Sequence, residues 1–244
     1  MKVLKERVRG IVQNKLGMIK INRNDRKGAL HRAWGYVYSN QLEGDYIEFG
    51  VYHGDSLVES YLSYMEAQTW IEGQLKSNEP WRVEMAKYNK QRQVFFHALD
   101  TFEGMPENTE GYLAFSKGNF CGNLENVKKA CATHGLCEPQ LKFYKGIFSA
   151  TASQLGQNMA QRKASIINFD CDLYQSTKDA LEISASLIQT GTVMMMDDYN
   201  SFSADNSKGQ RKAFHEFCKT SCFQFEAWFA YMYVGQAFLC VGHK

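Results

Sequence analysis

Apolar runs recur along the chain in YIEF, VFFHAL, LKFY, SIINF and TVMMM, each bounded by turn or helix signals. Runs of this length and density read as strands buried on both faces of a parallel sheet. Between them lie segments of helical period. SLVESYL places Leu57, Tyr61 and Tyr64 on one face, GNLENVKKACATHG ends at Gly135, and STKDALEISASLIQT is opened by Ser176 or Thr177 as an N-cap. KGQRKAFHEFCK reads as a further helix, whereas KGIFSATASQL, after the third strand, reads as a loop. Strand and helix in alternation predict an α/β fold, a mostly parallel sheet with helices on both faces. The closing runs FQFEAWF and GQAFLCVG predict a terminal hairpin. Residues 1–40, with RAWGYVYSN, read as an aromatic helical cap or lid, residues 41–244 as one continuous domain, and residues 66–92 as an inserted helical excursion.

Composition narrows the class. A length of 244 residues suits one α/β domain, and only three prolines argue against a Pro-rich linker. The formal charge of +2 gives no nucleic-acid or membrane-surface footprint, and the densest basic stretch, KVLKERVRG, is mixed in sign and reads as a solvated helix start. Seven cysteines without a CxxC pair predict reduced, mostly buried thiols in a cytoplasmic protein; Cys218 and Cys222, four apart, add little. The first residues lack the apolar core of a signal peptide. The stretch AWFAYMYVGQAFLCVG is too short for a membrane span and is interrupted by Gly235 and Gln236.

The chemistry concentrates at strand ends. SIINF is followed by Asp170 and Asp172, and TVMMM by Asp197 and Asp198. Ligands of open α/β sheets bind beyond the carboxyl ends of the strands, so four carboxylates would converge there. Such a cluster calls for a hard cation, a shared proton or a cationic ligand. Asp172 also stands where it would cap the following helix. In YIEFGVYHGDS, Gly50 and Gly54 lie between a strand and a helix, a turn that admits close backbone approach and presents helix N-terminal amides. Their spacing departs from GxGxxG, which disfavours a nicotinamide or flavin dinucleotide. Glu48 sits inside the strand end and calls for a cationic or multiply hydrogen-bonding partner. Asp100 ends the second strand, where this class of fold sets an acid against ribose hydroxyls. His97 reads as a core residue, His31 as part of a lid over an acceptor, His53 as a residue near an acceptor or equally a hydrogen-bonded structural histidine, and His134, His215 and His243 as loop or surface residues. Trp34, Tyr36 and Tyr38 read as packing residues, with stacking on an acceptor as the alternative.

The blocks E-F-G-V-x-x-G-x-S, D-T-F-E-G-M-P, D-C-D-L-Y-x-S-T-x-D-A-L-E and D-D-Y occur in that order between Tyr46 and Tyr199. Together they resemble the macrocin O-methyltransferase family of S-adenosylmethionine-dependent enzymes, which act on sugar hydroxyls of macrolides and related glycosides. The resemblance implies the class I methyltransferase (Rossmann-like) fold, with a seven-stranded sheet whose last strand is antiparallel. By it, Glu48, Phe49, Gly50, Val51, Gly54 and Ser56 line the methionine and ribose side of the cofactor. Asp100, Thr101 and Phe102 take the ribose and adenosine, Gly146 and Ile147 lie near adenine, and Asp170 also borders the cofactor. Asp172, Asp197 and Asp198 hold a magnesium ion, and Asp170 is the general base. The family carries Thr-Leu-Pro after the third strand; here Thr151 fills the threonine place and the proline is absent, which leaves the acceptor open. The resemblance also suggests dimers or larger oligomers.

These residues imply methyl transfer from a sulfonium to a hydroxyl. Magnesium on the three aspartates would lower a hydroxyl pKa, with Asp170 receiving the proton. All-oxygen ligation suits magnesium, manganese or calcium rather than zinc. A sugar or other glycosylated small molecule is the expected acceptor. A catechol-type acceptor suits the same ion and is the alternative. A non-catalytic binding protein of the same fold would not need all four acids, and a nicotinamide reductase would need a different glycine turn.

Overall fold

The computed structural model describes residues 25–244. KVLKERVRG and most of the 1–40 segment lie outside them. The first described element is helix α1 (Arg26–Ser39), whose N-terminus is capped by the Asp25 side chain accepting from the Gly28 amide at 2.6 Å. It leads into β1 (Asp45–Phe49), α2 (Asp55–Gln74), α3 (Pro80–Gln91) and β2 (Phe96–Asp100). Then follow α4 (Leu124–Thr133), β3 (Leu141–Lys145), α5 (Phe148–Asn158), β4 (Ala164–Phe169), α6 (Tyr174–Ser184) and β5 (Val193–Met196). Helix α7 (Gly209–Thr220) and strands β6 (Phe223–Tyr231) and β7 (Gly235–His243) complete the chain.

The sheet has seven strands in the order β3-β2-β1-β4-β5-β7-β6. The first five run parallel, while β7 pairs antiparallel with β5 and with β6. The expected α/β architecture and terminal hairpin are therefore present. Chain order reverses between β1 and β4, and the open crevice at that point is where such sheets bind ligands.

Two apolar layers flank the sheet. One packs Trp34 of α1 and Leu57, Tyr61 and Tyr64 of α2 against Tyr46 and Phe96. The other packs Leu155, Leu181 and Phe214 of α5, α6 and α7 against Ile47, Phe49 and Phe169. Strand alternation sorts β1 between them, so Glu48 shares the face of Tyr46 while Phe49 joins the opposite core. Helix α1 is an integral part of the first layer: Trp34 is fully buried and its indole N–H donates to Ser60 Oγ at 3.0 Å.

Three local expectations are corrected. Residues 66–74 continue α2, so the helical excursion is the end of that helix plus the separate α3, which starts with Pro80 at its first turn. The stretch read as a loop after the third strand is helix α5; its small, polar sequence buries only Thr151 and Leu155. Helix α6 starts at Tyr174, so Ser176 and Thr177 lie inside it and neither caps it. Its first amide is accepted by the carboxylate of Glu110, which reaches in from the loop after β2.

The cysteines are all unpaired, but only Cys131, Cys171 and Cys240 are buried, fewer than expected. Among the described residues no helix is long and apolar enough to cross a membrane. Trp34, Tyr38 and His97 are core residues as expected, His97 contacting Tyr144 Oη at 2.8 Å.

Candidate active site at the carboxyl edge of the sheet

The carboxyl ends of β1, β2, β3, β4 and β5 bring most of the expected residues to one edge. After β1 the chain turns sharply at Gly50 (φ 89°), whose amide donates to Leu99 O at 2.9 Å. A Cβ at Gly50 would lie 1.8 Å from the carbonyl oxygen of Asp170, so β1 and β4 meet there only because the residue is glycine. Gly54 (φ 85°) is the N-cap of α2. The turn is held by Asp100, which ends β2. Its Oδ2 accepts from the amides of Val51 at 2.6 Å and Tyr52 at 3.0 Å, and its Oδ1 from the Phe102 amide at 2.6 Å. Asp100 thus organises the glycine turn itself. Thr101 Oγ1 braces the following loop by donating to Gly104 O at 3.3 Å. At the end of β3, the Gly146 amide donates to Asp100 O at 3.0 Å, and Ile147 stands 60% exposed, an apolar surface for a flat ring.

Glu48 lies beneath this turn, fully buried. Its carboxylate accepts from Tyr46 Oη and from Ser56 Oγ, the latter at 2.7 Å. Burial raises its pKa to about 7, against the lowering influence of those hydroxyls and of the Arg26 guanidinium. Asn168 is paired with Glu48 in the β1–β4 register, and its side-chain oxygen and nitrogen both lie buried without a hydrogen-bond partner. Asn168 nevertheless stands close enough to Glu48 to help lower the pKa of that carboxyl.

The four aspartates cluster beyond β4 and β5, but not as one open set. Arg26, at the start of α1, extends its Nη2 to Asp197 Oδ2 and to Asp170 Oδ2, the latter at 3.1 Å. Tyr231 Oη donates to the other oxygen of Asp197 at 2.8 Å. On the other side, Asp172 and Asp198 lie together, and Asp198 Oδ1 accepts from Ser201 Oγ at 3.3 Å. Asp198 Oδ2 is buried without a partner, while its amide is fixed by Gln210 Oε1 at 2.9 Å. Burial, then repulsion from neighbouring carboxylates, raises Asp170 and Asp198 well above the usual range, and Asp172 to about 7. Burial opposes the Arg26 charge, but Asp170 and Asp197 outweigh it and hold that guanidinium above its ordinary pKa.

Some expected residues are placed otherwise. Phe49 turns its side chain into the far core, stacking on Phe169 at 5.5 Å, so only its backbone borders the turn. Val51 is also buried and contributes its amide. Asp197, expected as an open metal ligand, is engaged by Arg26 and Tyr231 on both oxygens. Among the described residues no three His, Cys, Asp or Glu side chains are arranged to hold one ion. The sequence reading missed Arg26, Tyr231, Asn168 and Glu110. Of these, only Asn168 carried a signal: a polar residue inside the apolar run SIINF.

The sequence profile of the macrocin-O-methyltransferase (TylF) family matches residues 82–223. A curated relative from Streptomyces olivaceus, an 8-demethyl-8-(2,3-dimethoxy-alpha-L-rhamnosyl)-tetracenomycin-C 4'-O-methyltransferase, is 29% identical over 171 residues. That alignment covers 67% of this chain and 56% of the relative, so the chain spans little more than half of that protein. Among solved structures, the O-methyltransferase NovP superposes with a TM-score of 0.65 at 19% identity, covering 88% of this chain and 79% of that one. The calicheamicin methyltransferase CalS11 gives 0.60 at 18% identity, covering 87% and 76%. These likenesses show the class I methyltransferase fold. With the profile spanning more than half of its length, the chain belongs to the macrocin-O-methyltransferase family.

Proposed function

We propose that the protein is an S-adenosylmethionine-dependent, magnesium-dependent O-methyltransferase that methylates a hydroxyl of a sugar or of another glycosylated small molecule. The observation that carries this reading is the meeting of the Gly50 turn, Asp100 and the four aspartates at the β1–β4 crevice. A sugar acceptor is supported by the relative from Streptomyces olivaceus, which is named for methylating a rhamnosyl group. A cytoplasmic site of action accords with seven unpaired thiols.

The donor chemistry of these residues suits both groups. Asp172 and Asp198 form an oxygen-only donor pair short of positive charge, with Asp198 Oδ2 lacking any partner, which is the chemistry a hard cation needs. Together with Asp197 they would hold magnesium. Buried Glu48 and the unpartnered Asn168 amide suit the charged methionine end of the cofactor, and Asp100 and Ile147 its ribose and adenine. S-adenosylmethionine supplies the electrophilic methyl group, and magnesium supplies a Lewis acid that acidifies the acceptor hydroxyl.

The chain itself orients the acceptor and takes up its proton. Asp170 is the proton acceptor; the Arg26 guanidinium, 3.1 Å from its Oδ2, favours the carboxylate, the form that can take up a proton. The tight β1–β4 approach at Gly50 fixes Asp170 against the cofactor turn, and its amide donates to Phe49 O at 2.9 Å. Fixed geometry of this kind supplies much of the rate by removing orientational freedom before reaction.

The test is mass-spectrometric detection of methyl transfer to a panel of vicinal diols, both glycosides and catechols, with magnesium present and after chelation. Methylated glycosides formed only with the metal support the reading. A preference for catechols would reassign the acceptor, and activity undiminished by chelation would remove the metal.

A further inference from the structure

Arg26 divides the acid cluster into two halves of different character. On its own side, both oxygens of Asp197 are engaged: one meets the Arg26 cation and the other the Tyr231 hydroxyl at 2.8 Å. On the far side, among the described residues, Asp172 and Asp198 form no ion pair, and Asp198 Oδ2 has no hydrogen-bond partner. Arg26 is itself incompletely satisfied, because its Nε is buried without an acceptor. Its backbone does not need to move to release Asp197, since α1 is anchored to the domain by buried Trp34 and its hydrogen bond to Ser60.

We propose that Arg26 competes with the divalent cation for Asp197, and so sets how tightly the acid cluster takes its metal. The inference rests on the magnesium reading above. In it, Arg26 is a positioning residue. With Arg26 on Asp197, the ion has only the Asp172–Asp198 pair; with Arg26 withdrawn, Asp197 becomes a third carboxylate ligand. A guanidinium beside the cluster also repels any second cation, and the two effects act in the same direction.

The experiment is calorimetric titration of the full-length protein with magnesium and with manganese, comparing wild type with Arg26→Gln and Arg26→Lys. Arg26→Gln is expected to bind either metal about tenfold more tightly, the scale of removing one nearby positive charge. Arg26→Lys, which keeps the charge, is expected to stay near wild type. A residue that merely held α1 in place would give equal or weaker metal binding when removed, and that result overturns the proposal. S-adenosylhomocysteine binding, measured in parallel, reports that each variant is folded. If Arg26→Gln does not fold, Arg26→Met, apolar and of similar length, carries the same comparison. If folded wild type and folded variant both fail to bind metal, the magnesium reading falls and this proposal with it. If both bind equally, only the competition is lost.

Discussion

Asp45 and Glu48 stand three residues apart on one strand, both fully buried, and the protein treats them in opposite ways. Asp45, at the amino end of β1, receives two hydrogen bonds from Arg162, both at 2.6 Å, and one from the Phe95 amide at 2.9 Å. Burial works against its charge, but Arg162, His97 and that amide win, and its pKa is lowered. Glu48, at the carboxyl end, has hydroxyl donors and no cation in direct contact, and burial lifts its pKa to about 7. A structural acid arrives with its partners; an acid at a binding edge is left short of them. The same strand therefore has a closed end and an open end.

Substitutions at the two ends should separate chemistry from stability. The largest expected effect is on turnover: Asp170→Asn should lower kcat by about 10²–10⁴-fold, the usual contribution of a general base, while S-adenosylhomocysteine affinity stays near wild type. Steady-state kinetics with parallel calorimetry would decide it, and collapsed cofactor binding would move Asp170 out of the proton-transfer role. At the closed end, Asp45→Asn should cost about 3 kcal/mol in denaturant unfolding, the lower part of the range for a broken buried pair because Arg162 reaches solvent. Its cofactor affinity should be unchanged.

The pH dependence of stability should also differ between the ends. Glu48 is raised when folded, so the native state binds more protons than the unfolded chain between the ordinary glutamate value and about pH 7. Its contribution is present in acid and is lost as pH rises through that window, by up to about 3 kcal/mol in the ligand-free protein. Asp45 has the opposite sign, its contribution being lost as pH falls. Melts from pH 4 to 8 should therefore show a decline toward neutrality, shared with the raised aspartates of the cluster, that Glu48→Gln lessens and Asp45→Asn does not. The smallest effect is expected at Asp100, where Asn keeps one acceptor for the turn amides. Its S-adenosylhomocysteine binding should weaken by about 1–3 kcal/mol.

The open end was largely legible in the sequence, because apolar strands that stop at acids announce a sheet edge where ligands bind. Asp100, Asp170, Asp172, Asp197 and Asp198 all fall at that edge. What was not legible depends on contacts between distant residues. Arg26 reaches Asp197 across 171 positions, and Glu110 accepts from the first amide of α6 across 64, replacing the local cap that Ser176 and Thr177 suggested. Phe49 was a different case. Strand alternation puts it on the face opposite Glu48, so its burial in the far core follows from the sequence once the period is applied. Helix α5 was hidden by composition: FSATASQLGQN carries few apolar residues, and only the four-residue spacing of Thr151 and Leu155 marks its buried side.

If the carboxyl edge is built for the cofactor and the amino edge only for the fold, substitutions at the two edges must differ in their effect on cofactor binding. Calorimetric titration with S-adenosylhomocysteine of wild type, Asp100→Asn and Asp45→Asn, all at a temperature where each is folded, tests this directly. Micromolar binding by wild type and Asp45→Asn, with weaker binding by Asp100→Asn, is the predicted result. No binding by folded wild type, or equal loss in both variants, would contradict it.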